Sequence, residues 1–545
     1  MAQEHRLDAL VVGAGFTGIY ALHVLLSQGF NVKAIDKAPE VGGTWWWNRY
    51  PGAMSDTWSH LYRYSFDKEL LETYPWPRWY VTQPEVLEYL RHVVDRHNLR
   101  KHLQLATEMT AARWDDQAKL WHVSCSTGDV FLVRYLLTGM GLLNKPLIPD
   151  FPGIDTFRGT IAHTSSWDPT ISFDDKRVGV IGVGSSGVQV VTTVAPRVKS
   201  LHVFIRRAQY SIPSGNRRVG DDERRAVNAR YRQIWAEARA SSAAMGFPEP
   251  NRQLMDLSPT DREQLLEDLW QGGNGLRFMM GGFADVLVDR TANEEVCRFL
   301  RKKIAGIVQD PAKRATLTPT ESYARRPLCD DGYYERFNQD NVFAVEALKN
   351  PITAIVPEGI RMADGTVHEL DVIVLATGFH SLTGSYASVA LTGRHGPTSL
   401  HDLWEDHGAS TYLGMSVAGF PNLLVLNGPT TAFTNIPPLA ETNVDFAVDL
   451  IKRAESLSAQ CGYPCEIEAT AEAAKKWADL CETMAEGSIF HDVPSWLFRR
   501  NIPGKRSMTQ LYVGGLGRLR GIMADVKRKG FEGFKEPVGQ TKAHL

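Results

Sequence analysis

A chain of 545 residues is longer than one hydrophobic core usually supports, so two or more domains are expected. Its 43% hydrophobic and 22% charged content is that of a folded globular protein and excludes a disordered, collagen-like or disulfide-stapled chain. With 60 Lys and Arg against 62 Asp and Glu the net charge is −2, so nothing global attracts polyanions and no nucleic-acid partner is expected.

The first element is the apolar strand Ala9-Leu10-Val11-Val12, followed by Gly13-Ala14-Gly15-Phe16-Thr17-Gly18, a helical stretch over 18–28, and a second strand, Val32 to Ile35, that ends at Asp36. This is a β-α-β unit with a dinucleotide fingerprint. The glycines permit a tight turn and close backbone approach, the helix N-terminus faces a pyrophosphate, and Asp36 is placed to accept ribose hydroxyls. An apolar strand from Tyr135 closes in Thr138-Gly139. The same grammar then recurs: Val178-Gly179-Val180-Ile181, the turn Gly182-Val183-Gly184-Ser185-Ser186-Gly187, a helix, and the strand Leu201 to Ile205. Here Arg206 and Arg207 close the strand where an acid would repel a 2′-phosphate, so the second site reads as NADP(H) and the first as FAD.

Residues 218–320 carry helical periodicity, as over Asp221 to Ala240, Thr260 to Trp270 and Asn293 to Ile307, without strand signals. They read as a helical insertion. A further strand, Val372 to Ala376, runs into Thr377-Gly378-Phe379, and Asn427-Gly428-Pro429 precedes a helix over 438–455. The expected fold is α/β, with two Rossmann-like dinucleotide-binding domains and that insertion: 1–150 FAD, 151–217 NADP, 218–320 insertion, 321–380 NADP again, and 381–545 FAD again. Cys125, Cys297, Cys329, Cys461, Cys465 and Cys481 show neither a C-x-x-C pair nor zinc-ligand spacing, so a reduced, cytoplasmic compartment and no metal are expected. No window approaches the ~20 apolar residues of a bilayer span, so no membrane partner is expected. The final Ala543-His544-Leu545 loosely matches a peroxisomal tripeptide, the weaker alternative for location.

Between the two glycine turns stands Phe157-Arg158-Gly159-Thr160-Ile161-Ala162-His163-Thr164-Ser165-Ser166-Trp167-Asp168. Its pattern, F-x-G-x-x-x-H-x-x-x-W-[PD], resembles the fingerprint of type I Baeyer–Villiger monooxygenases. So does Gly42-Gly43-Thr44-Trp45-Trp46-Trp47-Asn48-Arg49-Tyr50-Pro51-Gly52-Ala53-Met54-Ser55-Asp56, which fits G-G-x-W-x-x-x-x-[FY]-P-G-x-x-x-D at every specified place. Further similarity lies in Gln83-Pro84-Glu85, in Tyr323-Ala324-Arg325-Arg326-Pro327-Leu328-Cys329-Asp330, in Tyr333-Tyr334-Glu335, and in Ser495-Trp496 with Asn501-Ile502-Pro503-Gly504-Lys505.

The resemblance implies an NADPH- and dioxygen-dependent oxidation of ketones, cyclic ones foremost, to lactones or esters through a flavin peroxide. That anion needs a fixed cation, which the resemblance places at Arg326 with Asp56 as its carboxylate partner. It implies an FAD site drawing on Gly13, Gly15, Phe16, Gly18, Asp36, Lys37, Gly43, Thr44, Trp45, Asp56, Tyr62 and Met109. The NADP site is expected to draw on Gly182, Gly184, Ser185, Ser186, Gly187, Gln189, Arg206, Arg207, Arg325 and Trp496. His163 reads as a brace of the interdomain linker, since no proton is evident for a general base, and Trp46 and Trp47 read equally well as packing. A monomer is expected.

Departures from the family pattern concern substrate scope: Arg499-Arg500 before Asn501, Arg207 for a frequent Thr, and Thr430-Thr431-Ala432-Phe433 near the flavin. The nearest rival is a flavin monooxygenase oxygenating amines or sulfides, against which Trp167 and Arg326 argue. A flavin disulfide reductase needs a redox cysteine pair beside the flavin, and Cys461 and Cys465 are near neither glycine turn. A non-catalytic NADP(H)-binding flavoprotein would have no need of Arg326.

Overall fold

The structure, a computed structural model, describes residues 3–498 and 509–536. Arg499, Arg500, the run from Asn501 to Lys505 and the tripeptide 543–545 therefore lie outside the described residues.

Two separate sheets carry the two glycine turns. In the first, Glu4–Val12 runs parallel to Val32–Ile35 on one side and to Val130–Thr138 on the other. Val130–Thr138 also pairs in parallel with Leu423–Val425, so the chain beyond 420 returns to this sheet. Ala9, Leu10 and Val11 are fully buried, as central strands covered on both faces require. On the face of Ala9 and Val11 the covering comes from the helix Phe16–Ser27 and the long helix Ile436–Cys461, which share one core through Ile19, Leu22, Val444, Ala447 and Ile451, while Leu10 faces a separate core with Trp114 and Trp121.

The second sheet is all parallel, in the order Val342–Glu346, Ser200–Ile205, Arg177–Ile181, Val372–Leu375, Thr160–His163. The expected α/β class with two dinucleotide-binding sheets and a helical insertion is what the chain adopts. Antiparallel pieces that were not foreseen flank both sheets. Met109–Asp115 and Leu120–Cys125 form a hairpin on the first sheet, registered by Trp114 opposite Trp121. A small three-stranded sheet, Ile352–Val356, Gly359–Met362 and Val367–Glu369, flanks the second.

Over 218–320 the chain is helical, with one correction: the stretch Asp221 to Ala240 is two helices, Asp221–Asn228 and Tyr231–Ala240. The first buries none of its residues, so no packing carries it into the second, which is anchored by Tyr231, Trp235 and Ala238. Pro259–Gly272 starts at a Ser258 cap, with the hydroxyl accepting from the Asp261 amide at 3.2 Å. The insertion leaves and re-enters the body through paired strands, Ser211–Ile212 beside Leu328–Cys329. That pairing sets Arg326 just before a fixed strand, at the junction of the insertion with both sheets.

Candidate active site

The first glycine turn is held by contacts that only glycine allows. Gly13 has φ of +111°, and a Cβ there would lie 2.4 Å from the Gly139 carbonyl oxygen; at Gly18 it would lie 1.7 Å from the Gly13 oxygen. The Thr138-Gly139 strand end therefore closes directly over the turn. Gly43 packs on Gly15, bringing Thr44 and Trp45 up to the same turn. Asp36 accepts hydrogen bonds from the Ala14 and Ala38 amides at 2.6 and 2.8 Å, so it fixes the turn, and burial pushes its carboxyl up. Trp45 donates its indole N–H to Tyr62 at 3.2 Å, and Phe16 meets Tyr62 edge-on at 5.2 Å. Gln83 donates to the Trp45 carbonyl at 2.5 Å, while Glu85 closes a capping box on Thr82, which gives Gln83-Pro84-Glu85 a structural purpose. Lys37 reaches Asn144 at 2.9 Å. The Met109 side chain is 3% exposed in a core shared with Leu10, Val12 and Ile35.

The second turn repeats the first. Gly182, at φ of +104°, would place a Cβ 2.5 Å from the Ala376 oxygen, and Gly187 one 2.1 Å from the Gly182 oxygen. Gly184 is different: nothing lies within 4 Å of its would-be Cβ, at the start of the helix Ser185–Val194. An open face at the second glycine, between two packed ones, is the cradle a pyrophosphate fits. Gln189 lies on the same helix. Its Oε1 accepts from Tyr50 at 2.8 Å and its Nε2 donates to the Met54 carbonyl at 3.3 Å, so its amide ties this helix to the Gly42–Asp56 segment. Arg206, Arg207 and Arg325 do form one basic cluster, and each of Arg206 and Arg325 is pushed down by burial and by its cationic neighbours. An acid not anticipated from sequence, Glu321, sits among them, 3.2 Å from Arg207 and hydrogen-bonded to Arg325.

Arg326 and Asp56 meet between the two turns. Arg326 Nη1 is 2.7 Å from Asp56 Oδ2, 3.2 Å from the Pro327 carbonyl and 3.4 Å from the Ser185 hydroxyl at the head of the second helix. The side chains are 28% and 18% exposed, enough to be reached from a cleft. Burial works against the charge of Arg326, and Asp56 more than restores it, holding the guanidinium above its ordinary value. Asn274 was missed by sequence reasoning. It has φ of +72° and donates to Tyr80 at 2.9 Å and to the Asp56 carbonyl at 3.4 Å, linking the insertion to the loop that presents Asp56.

Residues 7–219 match the family of FMO-like, flavin-binding monooxygenase-like proteins. The chain is 43% identical over 525 residues to a Baeyer–Villiger monooxygenase of Pseudooceanicola batsensis, covering 96% of this chain and 95% of that one. It is 44% identical over 530 residues, 97% of each chain, to a phenazine N-monooxygenase of Lysobacter antibioticus. The closed crystal structure of a cyclohexanone monooxygenase superposes with a TM-score of 0.95 at 44% identity, over 98% of this chain and 99% of that one. The chain belongs to the Baeyer–Villiger monooxygenase family. It is an FAD-binding oxidoreductase with NADP(H) as its second nucleotide.

The Phe157–Asp168 motif runs along the edge strand of the second sheet. Gly159 is required because a Cβ there would lie 2.3 Å from the Asp371 oxygen. His163 ends the edge strand Thr160–His163; its Nδ1 accepts from the Ser165 amide at 3.1 Å and stands 2.7 Å from the Ser165 hydroxyl. Burial pushes the imidazole down to about 4, so it is neutral at physiological pH. Trp167, 4% exposed, stacks on Phe173 at 5.8 Å, and Asp168 accepts from Thr170 at both its amide and hydroxyl. Phe157 packs beside the core of Ile355, Ile360 and Leu370. Trp496 is docked by its carbonyl, which accepts from Ser381 at 3.2 Å and Gln510 at 3.3 Å. All six cysteines are free, and Cys329, pushed up by burial and then by Asp56, lacks a cysteine partner. Among the described residues no cluster of ligating side chains suits a metal, and no helix is long and apolar enough to cross a membrane.

Proposed function

We propose that this enzyme oxidises ketones, small cyclic ones foremost, to lactones or esters with NADPH and dioxygen. The observation that carries the reading is the Arg326–Asp56 pair, a fixed and partly reachable cation between two nucleotide turns. Bound FAD supplies hydride acceptance and oxygen activation. Arg326 stabilises negative charge as it develops on the reacting oxygens, in a site with little water to do so. Asp56 orients the guanidinium and keeps it charged, at the cost of partly offsetting it. The helix headed by Ser185 and Ser186 receives the NADP pyrophosphate, and Arg206, Arg207 and Arg325 receive the 2′-phosphate. Trp496, two residues after the Pro494 carbonyl that accepts from Arg325, closes over the dinucleotide. The domain limits 1–150, 151–217, 218–320, 321–380 and 381–545, a monomeric state and a reducing cytoplasmic location belong to the same proposal; six unpaired cysteines support the last.

Nitrogen oxygenation is the second reading, favoured by one finding: a phenazine N-monooxygenase is as similar to this chain as its ketone-oxygenating relatives. One experiment separates the two. The flavin-loaded enzyme is given NADPH, 18O-labelled dioxygen and a mixture of cyclic ketone, sulfide, tertiary amine and aromatic N-heterocycle, and products are analysed by mass spectrometry. A lactone with one labelled oxygen is expected. Labelled N-oxide without lactone would replace the ketone reading with the second.

A further inference from the structure

The second nucleotide site carries its own anion. Glu321 Oε1 lies 3.2 Å from Arg207 Nε, and the other carboxylate oxygen is hydrogen-bonded to Arg325 Nη2. The two arginines come to it from different sides: Arg207 follows the strand Ser200–Ile205, across the helical insertion from Glu321, whereas Arg325 stands four positions after it. Arg325 is further tied through Nε to the Pro494 carbonyl at 3.1 Å, two residues before Trp496. The main chain of Glu321 is held in turn, its carbonyl accepting from Tyr210 at 3.3 Å. Glu321 and Arg207 are each about one-third exposed, at 31% and 34%, and Glu321 borders a groove that Tyr210, Arg325 and Arg326 also line.

Three guanidinium groups gathered at one strand end repel one another, and an anion placed among them relieves that repulsion. A nucleotide 2′-phosphate offers the same chemistry with more charge, so it competes for the donors Glu321 already holds. We propose that Glu321 is the resident anion of the 2′-phosphate site, pairing with Arg207 and Arg325 when no dinucleotide is bound and displaced from them by the incoming phosphate. It thereby sets the affinity for NADPH: a dinucleotide without the phosphate leaves both pairs intact, whereas NADPH must break them. This rests on the reading of Arg206, Arg207 and Arg325 as phosphate ligands.

The test is calorimetric titration of the FAD-loaded enzyme with 2′,5′-ADP and with 5′-AMP, in wild type, Glu321→Gln, Arg206→Ala and Arg207→Ala. Glutamine preserves the shape and removes the charge. Glu321→Gln is expected to bind 2′,5′-ADP roughly three- to tenfold tighter, the range for releasing two partly exposed ion pairs, with 5′-AMP unchanged. Binding of 2′,5′-ADP that is unchanged or weaker in Glu321→Gln, while Arg207→Ala still weakens it, would overturn the displacement and leave Glu321 a positioning residue. Binding indifferent to both arginine variants would remove the phosphate reading itself. Flavin content and melting temperature show whether each variant folds.

Discussion

In the proposed function Arg326 does two things with one charge: it stays ionised where burial disfavours it, and it faces a reacting oxygen. Asp56 at 2.7 Å secures the first, and the residual exposure of both side chains allows the second. Arg326→Ala should therefore leave flavin reduction by NADPH within a few-fold of wild type, by stopped-flow absorbance. It should lower lactone formation by about 10²- to 10³-fold, the usual loss when one charge-stabilising donor is removed. Arg326→Lys, keeping the charge and losing the fork, should fall between them. A second residue-scale test concerns Asp330, buried four positions later, with the Thr192 hydroxyl donating to it at 2.5 Å. Burial pushes its carboxyl up to about 7, opposed by Thr192 and reinforced by Asp331. A raised folded-state value means that the native protein binds the proton more tightly than the unfolded chain, so this stability is present at low pH and is lost as pH rises towards 7. Asp330→Asn removes the titration. Its stability advantage over wild type should widen by about 2–3 kcal/mol between pH 5 and pH 7 and then stay level, by thermal melts in matched buffers.

The two glycine turns are legible from sequence because each is complete within about thirty consecutive residues, strand, turn, helix and strand together. Their glycines nevertheless have different duties that only geometry separates. Gly187 sits against Gly182 backbone, whereas Gly184 faces open space. Gly187→Ala should lower both melting temperature and NADP+ affinity. Gly184→Ala should melt like wild type yet bind NADP+ about tenfold or more weakly, because its methyl group would stand where the pyrophosphate lies; tryptophan-fluorescence titration and melting curves distinguish the two. What stayed hidden depends on partners distant in sequence. Gln189 occupies a position that a nucleotide-binding helix commonly offers to its ligand, but Tyr50, from the other nucleotide site, takes its amide. Glu321, four positions before Arg325, reaches Arg207 from across the insertion, and Asn274 reaches Asp56 from a left-handed conformation that no residue pattern announces. Met109 stands two residues after Thr107, whose amide donates to the Asp36 carbonyl at 2.8 Å, and its side chain packs into the core with Leu10, Val12 and Ile35.

At the scale of the whole molecule the question is whether two nucleotide sheets unfold as two units or one. The links between them are numerous and close. Arg326 pairs with Asp56, Gln189 with Tyr50 and Met54, and Gly52 lies so near the Gln189 carbonyl that a Cβ would come within 2.5 Å of it. The insertion is bound to the first sheet's helix by Arg239 and Glu441 at 3.0 Å, with Glu441 also accepting from the Ser65 amide at 2.6 Å. Gly517 approaches the Ala240 carbonyl as closely as only glycine permits. These contacts argue for one cooperative unit, and ligand linkage tests it. NADP+ at 100 times its dissociation constant stabilises the native state by about 2.7 kcal/mol. At about 2.1 cal/mol/K per residue, a unit of 545 residues has an unfolding entropy near ~1.1 kcal/mol/K, so its melting temperature should rise by about 2 °C. A separately melting second sheet with its insertion, roughly 230 residues, would instead shift by about 5–6 °C and leave the other transition in place. Scanning calorimetry with parallel detection of flavin release should show a single endotherm, moved by about 2 °C, with FAD leaving at the same temperature. Two endotherms, only one of them moved by NADP+, would mean that the seam carrying Arg326 and Asp56 opens before either sheet melts.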